Sequence, residues 1–222
     1  MPVTTSRDGD VAIVTLSHEE NRFHPDVLDA IDAALDEVER IDGPLALVLT
    51  GSGKFFSNGL DLDYLGSAGP AGFQANLDRV HGLLARMLGF PTYTVAALNG
   101  HAFAGGAMLS LACDERVMRA DRGYFCLPEV DLGLPFSPGM QALITSRLSQ
   151  ATAHEAMVTG RRYGGAEAAQ RGLVDTAVPE EEVVPEAVRR AAAMAGKRGE
   201  TLAAIKRNLY ATALSTLAGP RS

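Results

Sequence analysis

Apolar residues along the first hundred positions change their period repeatedly. Val11-Ala-Ile-Val-Thr-Leu16 is rich in β-branched residues and follows Asp8-Gly9-Asp10, a turn signal, so an opening hairpin is predicted. From Pro25 the spacing lengthens, and Leu28, Ile31, Leu35 and Val38 form one stripe at helical intervals. Pro25 suits a first helical position and Asp26 and Asp29 suit the positive helix start, which predicts a helix that Gly43-Pro44 stops. Leu45-Ala-Leu-Val-Leu-Thr50 then shows no alternation, the pattern of a strand covered on both faces, and Tyr93-Thr-Val-Ala-Ala-Leu98 looks alike. The two are expected to be neighbours in one covered sheet.

After each of these strands the chain enters a glycine-bearing turn and then a helical pattern. Residues 51–59 precede Leu60 to Leu65, and residues 99–106 precede Ala107 to Ala112. The class is therefore α/β. Glu115 to Ala120 and Tyr124 to Leu127 read as further short strands, followed by a loop from Pro128 to Pro135 and a helix with Ser137 as N-cap and Pro138 at its first position. Beyond Gln150 the pattern is mainly helical, with Leu173 to Val178 as a strand and alanine-rich helices at roughly 180–196 and 200–217. Phe73, Leu77, Leu84 and Met87 recur at near-helical spacing, as core or as pocket lining.

Composition narrows the function classes. A chain of 222 residues that is 46% hydrophobic buries one substantial core, so one domain with a C-terminal helical appendage is expected. The net charge of -7, with both signs interspersed, gives neither a nucleic-acid footprint nor a polybasic membrane segment, and any anionic ligand must be held locally. Cys113 and Cys126 read as reduced, buried small hydrophobes. Met1 to Asp10 has no apolar signal region, no apolar run reaches a membrane span, and Gly219-Pro220-Arg221-Ser222 is not a peroxisomal address, so a soluble enzyme of a bacterial cytoplasm is expected. The histidines show no metal-ligand spacing, and Gly51-Ser-Gly-Lys54 lacks the glycine spacing of a P-loop.

Three stretches can carry chemistry, each with two readings. Phe55-Phe-Ser-Asn-Gly-Leu-Asp-Leu62 is either an ordinary strand-to-helix connection with Asp61 at the helix start, or a turn that points peptide N–H groups at a ligand oxygen. In Asn99-Gly-His-Ala-Phe-Ala-Gly-Gly-Ala-Met-Leu-Ser-Leu-Ala-Cys-Asp114, Gly105 and Gly106 fall where a helix begins. They serve either close packing or an oxyanion placed at the positive end of the dipole. In Cys126-Leu-Pro-Glu-Val-Asp-Leu-Gly-Leu134, Glu129 is either a solvated loop carboxylate or a desolvated general base.

The order and spacing of these three stretches, with Asn21-Arg-Phe-His-Pro25 and Leu173-Val-Asp175, resemble the crotonase (enoyl-CoA hydratase/isomerase) superfamily over nearly the whole chain. The resemblance implies a crotonase-like spiral of ββα repeats over 1–178 and a C-terminal helical trimerisation region over 179–222. It also implies an oxyanion hole formed by the N–H groups of Leu60 and Gly105, which holds the thioester oxygen of an acyl-CoA. No separate cofactor is implied, since coenzyme A is part of the substrate. The partners expected are that substrate and further copies of the chain, as a homotrimer or dimer of trimers, and neither nucleic acid nor membrane.

Two departures from the family pattern carry information. Asn58 stands where alanine is usual, and Met108 stands where hydratases of the family place one of two glutamates. A thioether neither activates water nor protonates carbon, so efficient hydration by the two-glutamate route is not expected. The remaining Glu129 resembles the single base of the delta-3,delta-2-enoyl-CoA isomerase branch, shuttling a proton from C2 to C4 through a dienolate. Another crotonase-type enzyme (weak hydratase, thioesterase or decarboxylase) and a non-catalytic acyl-CoA-binding protein are the alternatives. The substrate-binding set implied is Arg22, Lys54, Asn58, Gly59, Asp61, Leu65, Phe103, Gly106, Met108 and Leu134, with Lys206 beside Arg22 and Lys54 as a basic side chain open to CoA phosphates.

Overall fold

Gly9 turns the chain at a φ of 54°, the left-handed region that glycine enters without cost, and pairs β1 (Val3–Asp8) antiparallel with β2 (Val11–Leu16). A computed structural model describes residues 1–219 of the chain. The tripeptide 220–222, and with it the end of the 179–222 region, lies outside the described residues. Helix α1 (Pro25–Glu39) starts at the expected Pro25, with His24 accepting from the Asp26 N–H, and buries Leu28, Ile31, Leu35 and Val38.

Three successive units then repeat one theme. β3 (Ala46–Gly51) leads to β4 (Phe55–Ser57) and α2 (Leu62–Leu88); β5 (Tyr93–Leu98) leads to β6 (His101–Phe103) and α3 (Gly105–Ala112). β7 (Glu115–Arg119) leads to β8 (Phe125–Cys126) and the one-turn α4 (Glu129–Leu132). The long strands lie side by side in a six-stranded sheet of order β1-β2-β3-β5-β7-β9, closed by β9 (Thr176–Val178), and β4, β6 and β8 form a separate three-stranded parallel sheet. Each unit thus advances both sheets by one strand, which is the spiral of ββα repeats that the family resemblance implies.

The unbroken apolar strands are explained by cover on both faces. Leu45, Leu47 and Leu49 point into the larger core with α1 and α2, whereas Ala46 and Val48 point to the other face against Ala187 and Ala191 of α8 (Val183–Met194). Along the chain, α5 (Pro138–Arg147), α6 (Gln150–Thr159) and α7 (Gly165–Gln170) come between α4 and α8. Ser137 caps α5 by accepting from the Met140 N–H at 3.2 Å, as expected from Ser137-Pro138. No helix among the described residues is long and apolar enough to cross a membrane.

Several expectations are corrected. The helix after the first glycine turn runs to Leu88, not Leu65; Gly69 at φ 69° and Pro70 break its hydrogen-bond ladder without ending it. The Pro128 to Pro135 loop contains α4, and the strand expected over Leu173 to Val178 is confined to Thr176–Val178, because Leu173 and Val174 turn into the core. The helix expected over 200–217 is two, α9 (Glu200–Leu209) and α10 (Ala211–Leu217), broken at Tyr210. Tyr210 packs on Arg147, and α10 lies against α5 where Gly139 admits it; a Cβ there would sit 2.9 Å from the Leu217 Cα. Lys206, offered as a phosphate contact, is instead 3% exposed and paired with Asp114 at 2.9 Å.

Candidate active site

The turn from β4 into α2 is fixed from beneath by buried polar groups. Asn21, itself at a φ of 53°, donates to the Phe55 and Phe56 carbonyls, and Ser57 donates to the Asn21 carbonyl at 2.7 Å. The same Ser57 oxygen accepts from the Gly59 N–H at 3.1 Å, and the Gly59 carbonyl accepts from Phe23 at 2.7 Å. With both its groups engaged, Gly59 turns at a φ of 75°. The next N–H, that of Leu60, has no protein acceptor among the described residues.

The turn from β6 into α3 meets this one directly. Ala104 takes φ 49° and ψ -122°, a conformation that L-residues rarely adopt, and the strain stands immediately before Gly105, the first residue of α3. The Gly105 N–H has no intrahelical partner and lies at the positive end of the helix. A Cβ built on Gly59 would lie 2.7 Å from the Gly105 nitrogen, so the two turns touch with only glycine between them. Gly106 backs onto Ser57, where a Cβ would come within 2.3 Å of the carbonyl oxygen; its glycine serves packing.

Both turns border one apolar cavity of about 310 Å³. Leu60, Gly105, Met108, Leu134 and Asn58 line it, and so do Phe73 and Leu77 from beyond the kink in α2. Of the helical stripe noted in the sequence, Leu84 and Met87 belong to the core, so both of its readings apply, to different residues. Glu129 is the one ionisable side chain among the residues lining the cavity. It is 8% exposed, and its Oε2 has no hydrogen-bond partner among the described residues. Burial raises its carboxyl from the ordinary 4.5 to about 7, opposed only by a backbone hydrogen bond. Asp131, two residues on, is exposed.

The other residues singled out in the sequence lie around this chamber. Asp61 caps α2 through the Tyr64 N–H at 3.1 Å, and Leu65 is buried beneath that helix. Asn58 donates to Glu20 at 2.7 Å, and Glu20 also holds Arg22 at 2.9 Å. Arg22 is further paired with Asp63 at 2.8 Å, so its charge is met by carboxylates. Lys54 lies apart, 5.6 Å from the Phe55 ring centroid in a cleft with Arg119, Arg122 and Glu180.

A second cavity of about 350 Å³ adjoins the chamber through shared Asn58, Leu60, Leu62, Ala104 and Leu132, and is lined by Phe103 and Arg162. Arg162, unnoticed in the sequence, stands 5.5 Å from the Phe103 ring centroid and has no carboxylate within ion-pair distance among the described residues. Its position follows from the bridge that pairs neighbouring Tyr163 with Phe125, a contact between residues remote in sequence that no local pattern signals.

The chain matches the profile of the enoyl-CoA hydratase/isomerase family over residues 6–221. It is 37% identical over 217 residues to enoyl-CoA delta isomerase 3 of Arabidopsis thaliana, covering 93% of this chain and 91% of that one. Among solved structures, human mitochondrial delta3-delta2-enoyl-CoA isomerase superposes with a TM-score of 0.92 at 25% identity, covering 98% of this chain and 86% of that one. The enoyl-CoA hydratase EchA3 of Mycobacterium ulcerans superposes with a TM-score of 0.91 at 27% identity, covering 98% and 95%.

Proposed function

Because this chain belongs to the enoyl-CoA hydratase/isomerase family, we propose that it moves the double bond of a 3-enoyl-CoA thioester into conjugation, as a 2-enoyl-CoA. The observation that carries the reading is Glu129, a lone carboxyl in an apolar chamber, facing the same space as the free N–H groups of Leu60 and Gly105. In this reaction Glu129 removes a proton from C2, and the electrons of that bond pass to the thioester oxygen as a dienolate. The two N–H groups hold the oxygen's charge where it develops, and the same carboxyl then returns the proton at C4. A base whose pKa lies near neutrality is suited to both transfers. Two-glutamate hydration lacks its second acid here, since Met108 occupies the chamber wall at that place.

The direct test follows the conjugated thioester absorbance of purified protein given a 3-enoyl-CoA and, separately, a 2-enoyl-CoA. Its growth in the first with little loss in the second is the expected result. Loss in the second assigns hydration instead, and binding without turnover assigns a carrier.

Arg162 is the phosphate contact in this reading, in place of Lys206, and the neighbouring cavity takes the coenzyme limb. Arg162→Ala is expected to raise KM for the CoA thioester about two- to fivefold, the range of an exposed ion pair, with kcat held. A short thioester of N-acetylcysteamine, which has no phosphate, gives the same KM with both proteins if the assignment is correct. Assembly as a homotrimer or dimer of trimers is part of this reading, and exposed Ile205 and Leu209 on α9 are apolar side chains that a second copy would cover.

A further inference from the structure

The reaction chamber is the middle one of three cavities in series. It shares Asn58 and Leu60 with the cavity beside Arg162, and shares Leu77 and Ser137 with a third of about 550 Å³ on the opposite side. The outer two have no lining residue in common among the described residues. A thioester whose coenzyme limb leaves past Arg162 therefore directs its tail toward the wall formed by Leu77 and Ser137.

That wall is apolar except at one place. The Ser137 Oγ lies 2.8 Å from His81 Nε2, and it also accepts the Met140 N–H at 3.2 Å. His81 is half-buried at the third cavity beside Asp78, and burial lowers its pKa against the opposing charge of that carboxylate, which favours the neutral imidazole. A neutral ring leaves the pair with two arrangements. When Nε2 accepts the serine proton, Oγ keeps a lone pair and Nδ1–H is the outward donor; when Nε2–H donates, the serine hydroxyl hydrogen becomes free. The pair can therefore either donate or accept at small rearrangement, and it is self-satisfied when nothing is bound. A hydroxyl group, itself both donor and acceptor, matches this. A plain hydrocarbon tail passes without leaving a polar group unpaired.

Resting on the proposed acyl-CoA reading, we infer that the Ser137–His81 pair recognises acyl chains carrying a hydroxyl on the part of the tail that passes from the reaction chamber to the third cavity. The reacting carbons are untouched by it; it is a selector of the tail.

The test uses 3-enoyl-CoA thioesters of one chain length, plain or with a single hydroxyl moved along the tail, and compares kcat/KM. The wild type is expected to favour at least one hydroxylated isomer over the plain chain by about three- to tenfold, the worth of one net hydrogen bond. His81→Phe, which leaves the Ser137 helix cap in place, is expected to bring that ratio to about one, and Ser137→Ala to do the same. A wild-type ratio near one for every isomer overturns the inference, as does a preference that survives in both variants. Titration calorimetry with saturated, non-reacting plain and hydroxylated acyl-CoA reads the same preference as a ratio of Kd. Failure of isomerisation with that Kd preference intact overturns the proposed reaction alone; loss of the preference with turnover intact overturns the selector alone.

Discussion

Glu129→Gln is expected to lower kcat for isomerisation by about 10²- to 10⁴-fold, the usual contribution of a positioned general base, while the Kd for a saturated acyl-CoA stays close to that of the wild type. The amide keeps the shape of the side chain and removes the one ionisable group among the described residues lining the chamber. The pH dependence follows from burial. With the carboxyl raised to about 7, the wild-type kcat/KM is expected to rise with unit slope up to about pH 7 and then level, since the working form is the carboxylate. Stability runs the other way. A group whose pKa is raised on folding favours the folded state fully below its unfolded pKa, near 4.5, and that contribution is lost as pH rises through about 7. Glu129→Gln lacks the buried charge and is expected to melt higher than the wild type at pH 8, by a free energy on the order of 3 kcal/mol, and close to it at pH 4.5. Thermal melts at the two pH values check this, and a variant no more stable at pH 8 contradicts the buried carboxylate.

Gly59→Ala is expected to cost about 10²- to 10³-fold in kcat, the loss that follows removal of one oxyanion donor. The new methyl would stand 2.7 Å from the Gly105 nitrogen and 2.9 Å from the Phe103 carbonyl oxygen, on a backbone at φ 75°. It must push the two turns apart or block the Gly105 N–H. Gly9→Ala serves as control, being strained in the same way at φ 54° but with nothing within 4 Å of its added Cβ. Both lose stability through an unfavourable φ. Only Gly59→Ala is expected to lose turnover in protein that circular dichroism shows to be folded, and equal losses in both would assign the effect to strain alone.

Local signals carried much of this architecture. The Asp8-Gly9-Asp10 turn, the Pro25 and Ser137-Pro138 helix starts, and the continuous apolar strands at Ala46 and Tyr93 each state their structure within a few residues. Where the signal was short or ambiguous, the structure differed. β4 and β6, three residues each, were hidden inside glycine turns, and the helical pattern read over Leu60 to Leu65 continues to Leu88 across the kink at Gly69-Pro70. α4 is a single turn held between Pro128 and a left-handed Gly133, too brief to show a period. The motif residues Leu60, Gly105 and Glu129 could be singled out because each sits at a turn with its own composition. Arg162 and the contact of His81 with Ser137 depend on pairings across long stretches of chain, and Lys206 was misjudged because nothing near it in sequence announces Asp114.

The register of the small sheet sets a length scale for the chemistry. Ser57 stands opposite Ala102 just past a register shift between Phe55 and Ser57, and Leu60 and Gly105 each follow that pair by three residues, one in each of two adjoining turns. Adjacent hydrogen-bonded strands run about 4.8 Å apart. One oxygen can lie between two donors so spaced, within about 3 Å of each. In the proposed reaction, the spacing of the two donors would follow from the neighbouring strands that carry their turns. Only the peptide group of Leu60 is used in that reading, so its side chain can change without altering the span.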